Sequence, residues 1–152
     1  MSDNKKICLI IPPSPFLSDE RVFYFIGILK VAANWEKLGY KIDVVDLCGI
    51  QNPKDVLKDY FDLNKDLYFV GFTATSPQYS NTHELAKFIK QNYNHKLVLG
   101  GTHCTLSHTS MKREIKNNIK NGRSKRAVDQ ILEVFDVVVC GDGELVLDLI
   151  LS

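Results

Sequence analysis

The stretch Leu97-Val98-Leu99-Gly100-Gly101-Thr102-His103 decides how this chain is read. A short apolar run that stops at a turn signal is the pattern of a strand buried on both faces, as in a parallel sheet. Two glycines at its carboxyl end leave bare backbone there. Glycine reaches positive φ without steric cost and lets another surface approach closer than a Cβ would permit. Ligands of open α/β sheets sit outside the carboxyl ends of the strands, so the pair marks where a ligand is expected to dock. Taken alone, Gly100-Gly101 is better read as a tight turn into the next helix. The other strand ends shift that balance.

Upstream, residues 67–72 (LYFVGF) read as a strand running into Thr73-Ala74-Thr75-Ser76-Pro77, and 81–93 place Leu85, Ala86, Phe88 and Ile89 on one helical face. Nearer the amino end, Lys6–Ile11 (KICLII) and 41–47 (KIDVVDL) are strands, the first closed by Pro12-Pro13. Between them, Ile28, Val31, Ala32, Trp35 and Leu38 recur at helical spacing over 27–38, with Gly39 as the stop. A helix PKDVLKDYF opens at Asn52 or Pro53, where proline is permitted. The connection 14–25 is long beside the usual two to six or so residues. It carries Phe16, Phe23, Tyr24 and Phe25, and long loops at strand ends are often functional. Downstream, 102–121 is polar and weakly periodic and supports no single assignment. Residues 127–135 read as helix and 137–140 (VVVC) as a further strand, which Gly141-Asp142-Gly143 turns into the amphipathic stretch 144–151.

Five apolar strands alternating with helices define an α/β fold, a doubly wound five-stranded parallel sheet covered on both faces. Right-handed crossovers leave few topologies, and the flavodoxin-like (Rossmann-like) order 2-1-3-4-5 is expected. With 152 residues, no linker and no repeat, residues 1–152 are read as one domain. A composition of 45% hydrophobic and 24% charged residues is that of a soluble globular protein, and the net charge of +1 gives no reason to expect nucleic acid or an acidic membrane. The basic run 112–126 lacks interleaved aromatics and reads as solvated helix and loop. The polar start Met1-Ser2-Asp3-Asn4 is not a signal peptide and no apolar segment reaches membrane-span length, so a cytoplasmic protein is expected. Cysteines 8, 48, 104 and 140 lie far apart, unlike the close pairs of zinc sites or the clustered triplet of an iron–sulfur site. They read as buried small hydrophobes, with no metal ligands among the side chains.

Thr73-Ala74-Thr75-Ser76, Gly100-Gly101-Thr102 and Gly141-Asp142-Gly143 all fall at carboxyl ends of parallel strands, hence at one sheet edge. Small residues there make room, while hydroxyls and free N–H groups supply hydrogen bonds. That suits a large, partly polar ligand whose flat part lies over the edge. Other occupants of such a fold fail on chemistry. A phosphate-accepting receiver needs acidic residues after strand 1 and Asp after strand 3, where Pro-Pro and Thr-Ala-Thr stand. The dinucleotide Gly-x-Gly-x-x-Gly, the P-loop lysine and a Gly-x-Ser-x-Gly elbow are all missing.

Several motifs together carry a resemblance: Pro-Pro-Ser-Pro-Phe after the first strand, Leu-Ser-Asp-Glu-Arg, Gly-Ile-Leu-Lys-Val-Ala-Ala, Thr-Ala-Thr-Ser-Pro-Gln, Leu-Gly-Gly-Thr-His and Gly-Asp-Gly-Glu. In this order, over nearly the whole length, the chain resembles the cobalamin-binding amino-terminal domain of cobalamin-dependent radical S-adenosylmethionine enzymes. The resemblance implies a cobalamin-binding module that positions a corrinoid for methyl transfer or a related radical reaction. The reaction would be carried out with a radical S-adenosylmethionine domain, in cis or in trans. It implies that Thr73, Thr75, Ser76, Gly100 and Gly101 line the slot for the dimethylbenzimidazole nucleotide tail, with Thr102 beside them. Gly141 and Gly143 would lie along the tail or the corrin edge. A side chain on Gly101 is then expected to exclude the tail, and the Thr75 hydroxyl to contribute one hydrogen bond to it.

Two departures qualify what carries over. Classical cobalamin domains have Asp-x-His-x-x-Gly after the first strand, its histidine ligating cobalt, whereas 12–27 contain no histidine. Bound cobalamin is therefore expected to lack a protein imidazole on cobalt. The aromatic loop either covers that face or is anchored by its rings in the core. The clustered cysteines of a radical domain are also missing, so no iron–sulfur cluster and no catalysis are expected of this chain alone. Of the histidines, His103 is the one the fold places near the site, to touch ligand or to help start the helix, whereas His83, His95 and His108 read as surface or helix residues. A stand-alone cobalamin binder or sensor, and a Rossmann-like interaction domain without ligand, are the alternative functions.

Overall fold

The computed structural model describes residues 5–152; Met1-Ser2-Asp3-Asn4, read above as no signal peptide, lie outside them. The strands are β1 (Lys6–Ile11), β2 (Lys41–Asp46), β3 (Leu67–Thr73), β4 (Leu97–Gly100) and β5 (Val137–Val138). All pair in parallel, in the order β2-β1-β3-β4-β5, so the expected doubly wound sheet is observed. The helices are α1 (Ile26–Lys37), α2 (Pro53–Leu63), α3 (Tyr79–Asn92), α4 (Thr102–Lys116), α5 (Arg123–Leu132) and α6 (Leu147–Leu151), with a 3-10 turn at Gly143–Leu145.

Alternation along the strands divides the core in two. Ile7, Leu9 and Ile11 of β1, Phe69 of β3 and Val98 of β4 face α1 and α6, packing with Ile28, Ala32, Trp35, Leu147 and Ile150. Cys8, Ile10, Val70, Phe72, Leu97 and Leu99 face the other way, onto Leu57 and Phe61 of α2, Leu85 and Ile89 of α3, Cys104 of α4 and Ile131 of α5. Each fully buried side chain of this size contributes about 1.5–3 kcal/mol relative to exposure. Trp35 meets Phe69 edge-to-face at 5.8 Å.

Residues 102–121 resolve into one helix, α4, through Lys116. It buries Cys104 alone among its residues, so no apolar stripe announces it. Strand β5 is shorter than 137–140. Val139 still donates to Leu99 O at 2.8 Å, but Cys140 turns outward and is exposed, correcting its reading as a buried residue; Cys8, Cys48 and Cys104 are buried. The loop aromatics do not anchor the core: Phe16, Phe23 and Tyr24 are exposed, and Phe25 packs against its edge. A polar network holds the loop instead. Buried Gln78 donates to Ser14 Oγ (2.7 Å) and Pro12 O (3.4 Å), while Glu20 accepts from Ser14 N. No helix of the described residues is long and apolar enough to cross a membrane.

Asp136 joins α3 to the start of β4: it accepts from Lys90 Nζ at 2.6 Å and from Leu97 N at 2.7 Å. Burial pushes its carboxyl up, but the Leu97 amide and Lys90 outweigh burial and hold it below the usual range. A carboxyl depressed in the folded state stabilises fully above its unfolded pKa, and that stabilisation is lost as pH falls through the folded value. The urea midpoint is therefore expected to drop on acidification below about pH 4, and more steeply in the parent than in Asp136→Asn. Equal slopes would remove Asp136 from this role.

Candidate cofactor-binding cleft at the carboxyl edge of the sheet

On the α1 side of the sheet, side chains are missing where rows of residues cross it. Leu9, Gly71 and Val98 lie abreast in register, and Thr73 lies beside Gly100 one row further toward the carboxyl ends. Gly71 makes way for the Leu9 side chain, whose Cδ2 would lie 2.8 Å from a Cβ there, whereas Gly100 leaves a depression beside Leu9, Phe69 and Val98. Helix α1 walls it with Ile28, Val31 and Trp35, and Ile150 and the turn 141–144 close the third side. The result is a cleft of about 360 Å³, at the small end of the roughly 300–1,000 Å³ of small-molecule sites. It has room for a base and sugar, so a macrocycle would have to lie outside it, across the sheet edge.

Its inner wall is apolar. Leu9, Ile28, Trp35, Phe69, Val98 and Ile150 are all buried, and the Trp35 indole N–H is already given to Glu144 O at 3.3 Å. Polarity belongs to the rim. Thr73 supplies the one side-chain hydroxyl among the lining residues. Lys30 of α1 and Glu144 of the 3-10 turn pair at 2.8 Å across the mouth. The carboxylate raises the lysine and the lysine lowers the carboxyl, so both stay charged near neutrality. Among the described residues no group of three or more His, Cys, Asp or Glu could hold a metal ion, and no histidine lines the cleft.

The structure brings Thr73, Gly100, Gly101, Gly141 and Gly143 to this cleft, and the others elsewhere. Thr75 donates through Oγ1 to Gln78 Oε1 at 3.0 Å, and its N–H goes to the same oxygen; its hydroxyl serves the loop. Ser76 Oγ lies 3.1 Å from Nδ1 of His103, whose ring stacks on Tyr79 at 4.2 Å. Burial lowers the His103 pKa, favouring a neutral imidazole. Thr102 is exposed at the start of α4. Of the other histidines, His95 packs between Phe61 and Tyr93.

The two glycines have different tasks. A Cβ on Gly101, where φ is +98°, would lie 2.8 Å from Ala74 N and O and 2.9 Å from Thr73 Oγ1. The missing side chain there makes way for β3's own backbone, not for a ligand. A Cβ on Gly100 would have Phe72 O at 3.9 Å as its nearest neighbour, so this position opens into the cleft. Sequence reasoning missed Gly71, Lys30, Trp35, Leu9 and Glu144 as lining residues. Gly71 did carry a signal, since a glycine inside an apolar strand marks a close approach.

These features define a class: a doubly wound α/β domain with an apolar, glycine-floored slot at the carboxyl edge of its sheet. Among solved structures the chain is similar to the radical S-adenosylmethionine methyltransferase TsrM from Kitasatospora setae. One such structure has a tryptophan substrate and an S-adenosylmethionine analogue bound, the other cobalamin and a [4Fe-4S] cluster. Both likenesses have a TM-score of 0.54 at 18% identity over 64% of this chain. The chain spans only 19% and 18% of those proteins, and at this identity the likeness is one of fold. No protein-family model matches the chain and no curated protein matches it.

The division between the glycines is measurable without any ligand. Gly101→Ala forces a Cβ into positive φ and against Ala74, and is expected to cost at least about 1–3 kcal/mol in urea unfolding. Gly100→Ala should stay within about 0.5–1 kcal/mol of the parent. Equal costs would show that the roles are not separate.

Proposed function

We propose that this chain is a cobalamin-binding module that presents a corrinoid to a radical S-adenosylmethionine catalytic domain, in cis or in trans, for methyl transfer or a related radical reaction. The observation that carries it is the glycine-floored, apolar slot at the carboxyl edge of a flavodoxin-like sheet. The motif order in the sequence and the fold likeness to a cobalamin-containing methyltransferase support it. When bound, the cofactor supplies the cobalt–carbon chemistry, and the protein supplies position and a dry surround.

In this reading the nucleotide tail enters the cleft over Gly100, between α1 and the 141–144 turn. Thr73 is placed to hydrogen-bond it at the mouth, and the Gly101 backbone to hold β3 and β4 together beneath it. Thr75, Ser76 and His103 act one layer out, fixing the β3–α3 and β4–α4 loops through Gln78 and Tyr79. Gly141, whose absent Cβ faces open space, leaves the edge clear for the corrin. Exposed Phe16, Phe23 and Tyr24, on the loop that leaves β1 at the same edge, provide an apolar surface for its lower face. With no histidine in 12–27 or among the lining residues, cobalt takes no imidazole from this site.

Incubation of the protein with hydroxocobalamin followed by desalting is expected to leave about one corrinoid per chain. Reduced to cobalt(II), the bound cofactor should give electron paramagnetic resonance lines without axial-nitrogen triplet splitting. A colourless protein would overturn the proposal; retained colour with clear triplet splitting would overturn only the placement of the tail's base in the cleft, away from cobalt.

A further inference from the structure

Resting on the corrinoid reading, we infer that the cleft selects among corrinoids by the base of their nucleotide tail. It accepts an all-carbon leading ring such as that of dimethylbenzimidazole or a phenol, and rejects adenine. The inference comes from the sharp division between the inner wall and the rim. Leu9, Ile28, Trp35, Phe69, Val98 and Ile150 form the wall, none more than 8% exposed. The one polar group among them, the indole N–H of Trp35, is engaged by Glu144 O. Strand backbone beneath the wall is committed to the parallel ladders through Leu9, Gly71 and Val98. The hydroxyl and the charges, Thr73, Lys30, Asp142 and Glu144, stand at the half-buried or exposed rim.

The two bases distribute polarity in opposite ways. In dimethylbenzimidazole the free ring nitrogen belongs to the five-membered ring that carries the ribose, and the far ring is carbon with two methyls. That pattern matches a polar rim and an apolar depth. In adenine the far ring carries two nitrogens and an amine. Pressed against this wall they would lose water without gaining a partner, which is the costly direction for a polar group.

The test compares the parent protein's dissociation constants for four corrinoids in their hydroxo forms: cobalamin, a p-cresol-tailed cobamide, an adenine-tailed cobamide, and cobinamide, which has no base. Cobalamin and the cresol form are expected within about threefold of each other. The adenine form should bind at least tenfold more weakly, about 1.4 kcal/mol. A second arm uses Val98→Thr, which adds one hydroxyl to the wall at nearly constant volume and should narrow the cobalamin-to-adenine ratio. Equal affinities for the adenine form and cobalamin in the parent overturn the inference while leaving the corrinoid reading intact. Cobinamide binding as tightly as cobalamin overturns it as well, because the base is then not held. Failure of all four to bind overturns the corrinoid reading itself. An unchanged ratio in Val98→Thr, with that variant folded, removes the wall as the cause.

Discussion

The close backbone contact between Gly101 and Ala74 is the constraint on which the site depends. Ala74 N donates to Gly100 O at 3.2 Å and Ala74 O accepts from His103 N at 3.0 Å. Both bonds need the chain to turn at Gly101 with φ at +98°, in space that no Cβ can share. The exits of β3 and β4 are thereby stitched side by side. Thr73 and Gly100 stay in register, and α4 starts at once from the sheet edge. Residues with a side chain pay about 1–3 kcal/mol for such a backbone even in open space; here the neighbouring strand adds a clash.

From this junction the rest of the edge follows. On the α1 face, Gly100 leaves a side chain out of a wall that otherwise runs Leu9, Phe69, Val98 and so opens the cleft, while Gly71 makes way for the Leu9 side chain in its floor. On the opposite face the same strands present Phe72, Leu97 and Leu99, which close-pack with α2, α3, α4 and α5. Gln78 gathers the remaining loops, receiving Thr75 and reaching Ser14 and Pro12, so the β1 and β3 exits are tied by a buried polar side chain. The α1 wall and the 141–144 turn are linked by Trp35 and by the Lys30–Glu144 pair. An exposed rim pair of this kind contributes little to the stability of the fold.

Much of this was legible in the sequence, for a physical reason. Strands buried on both faces, such as KICLII and LYFVGF, must be apolar throughout, and their glycine and threonine exits are punctuation that a parallel sheet collects at one edge. What was hidden depended on contacts across the sheet. That Gly101 faces Ala74 while Gly100 faces the cleft follows from a one-residue alternation and a positive φ, which two adjacent glycines do not distinguish. Thr75 looked like a ligand hydroxyl because its partner, Gln78, is set by a loop conformation. Trp35 read as an ordinary core position of α1, since nothing local says that the glycine rows lie opposite. Helix α4 was illegible because a helix that buries one cysteine has no stripe to read, and the exposure of Cys140 follows from β5 ending after two residues.

Trp35, the chain's one tryptophan, stands in the cleft wall, where its fluorescence reports whether a ligand occupies the volume left open by Gly100. Its fluorescence is titrated with hydroxocobalamin in the parent and in Gly100→Leu, after urea unfolding shows that the variant is folded. Saturable quenching with a stoichiometry of about one is expected in the parent, and a midpoint shifted at least tenfold in Gly100→Leu, because close-packed volume cannot be shared. The same midpoint in both proteins would contradict occupancy of that volume.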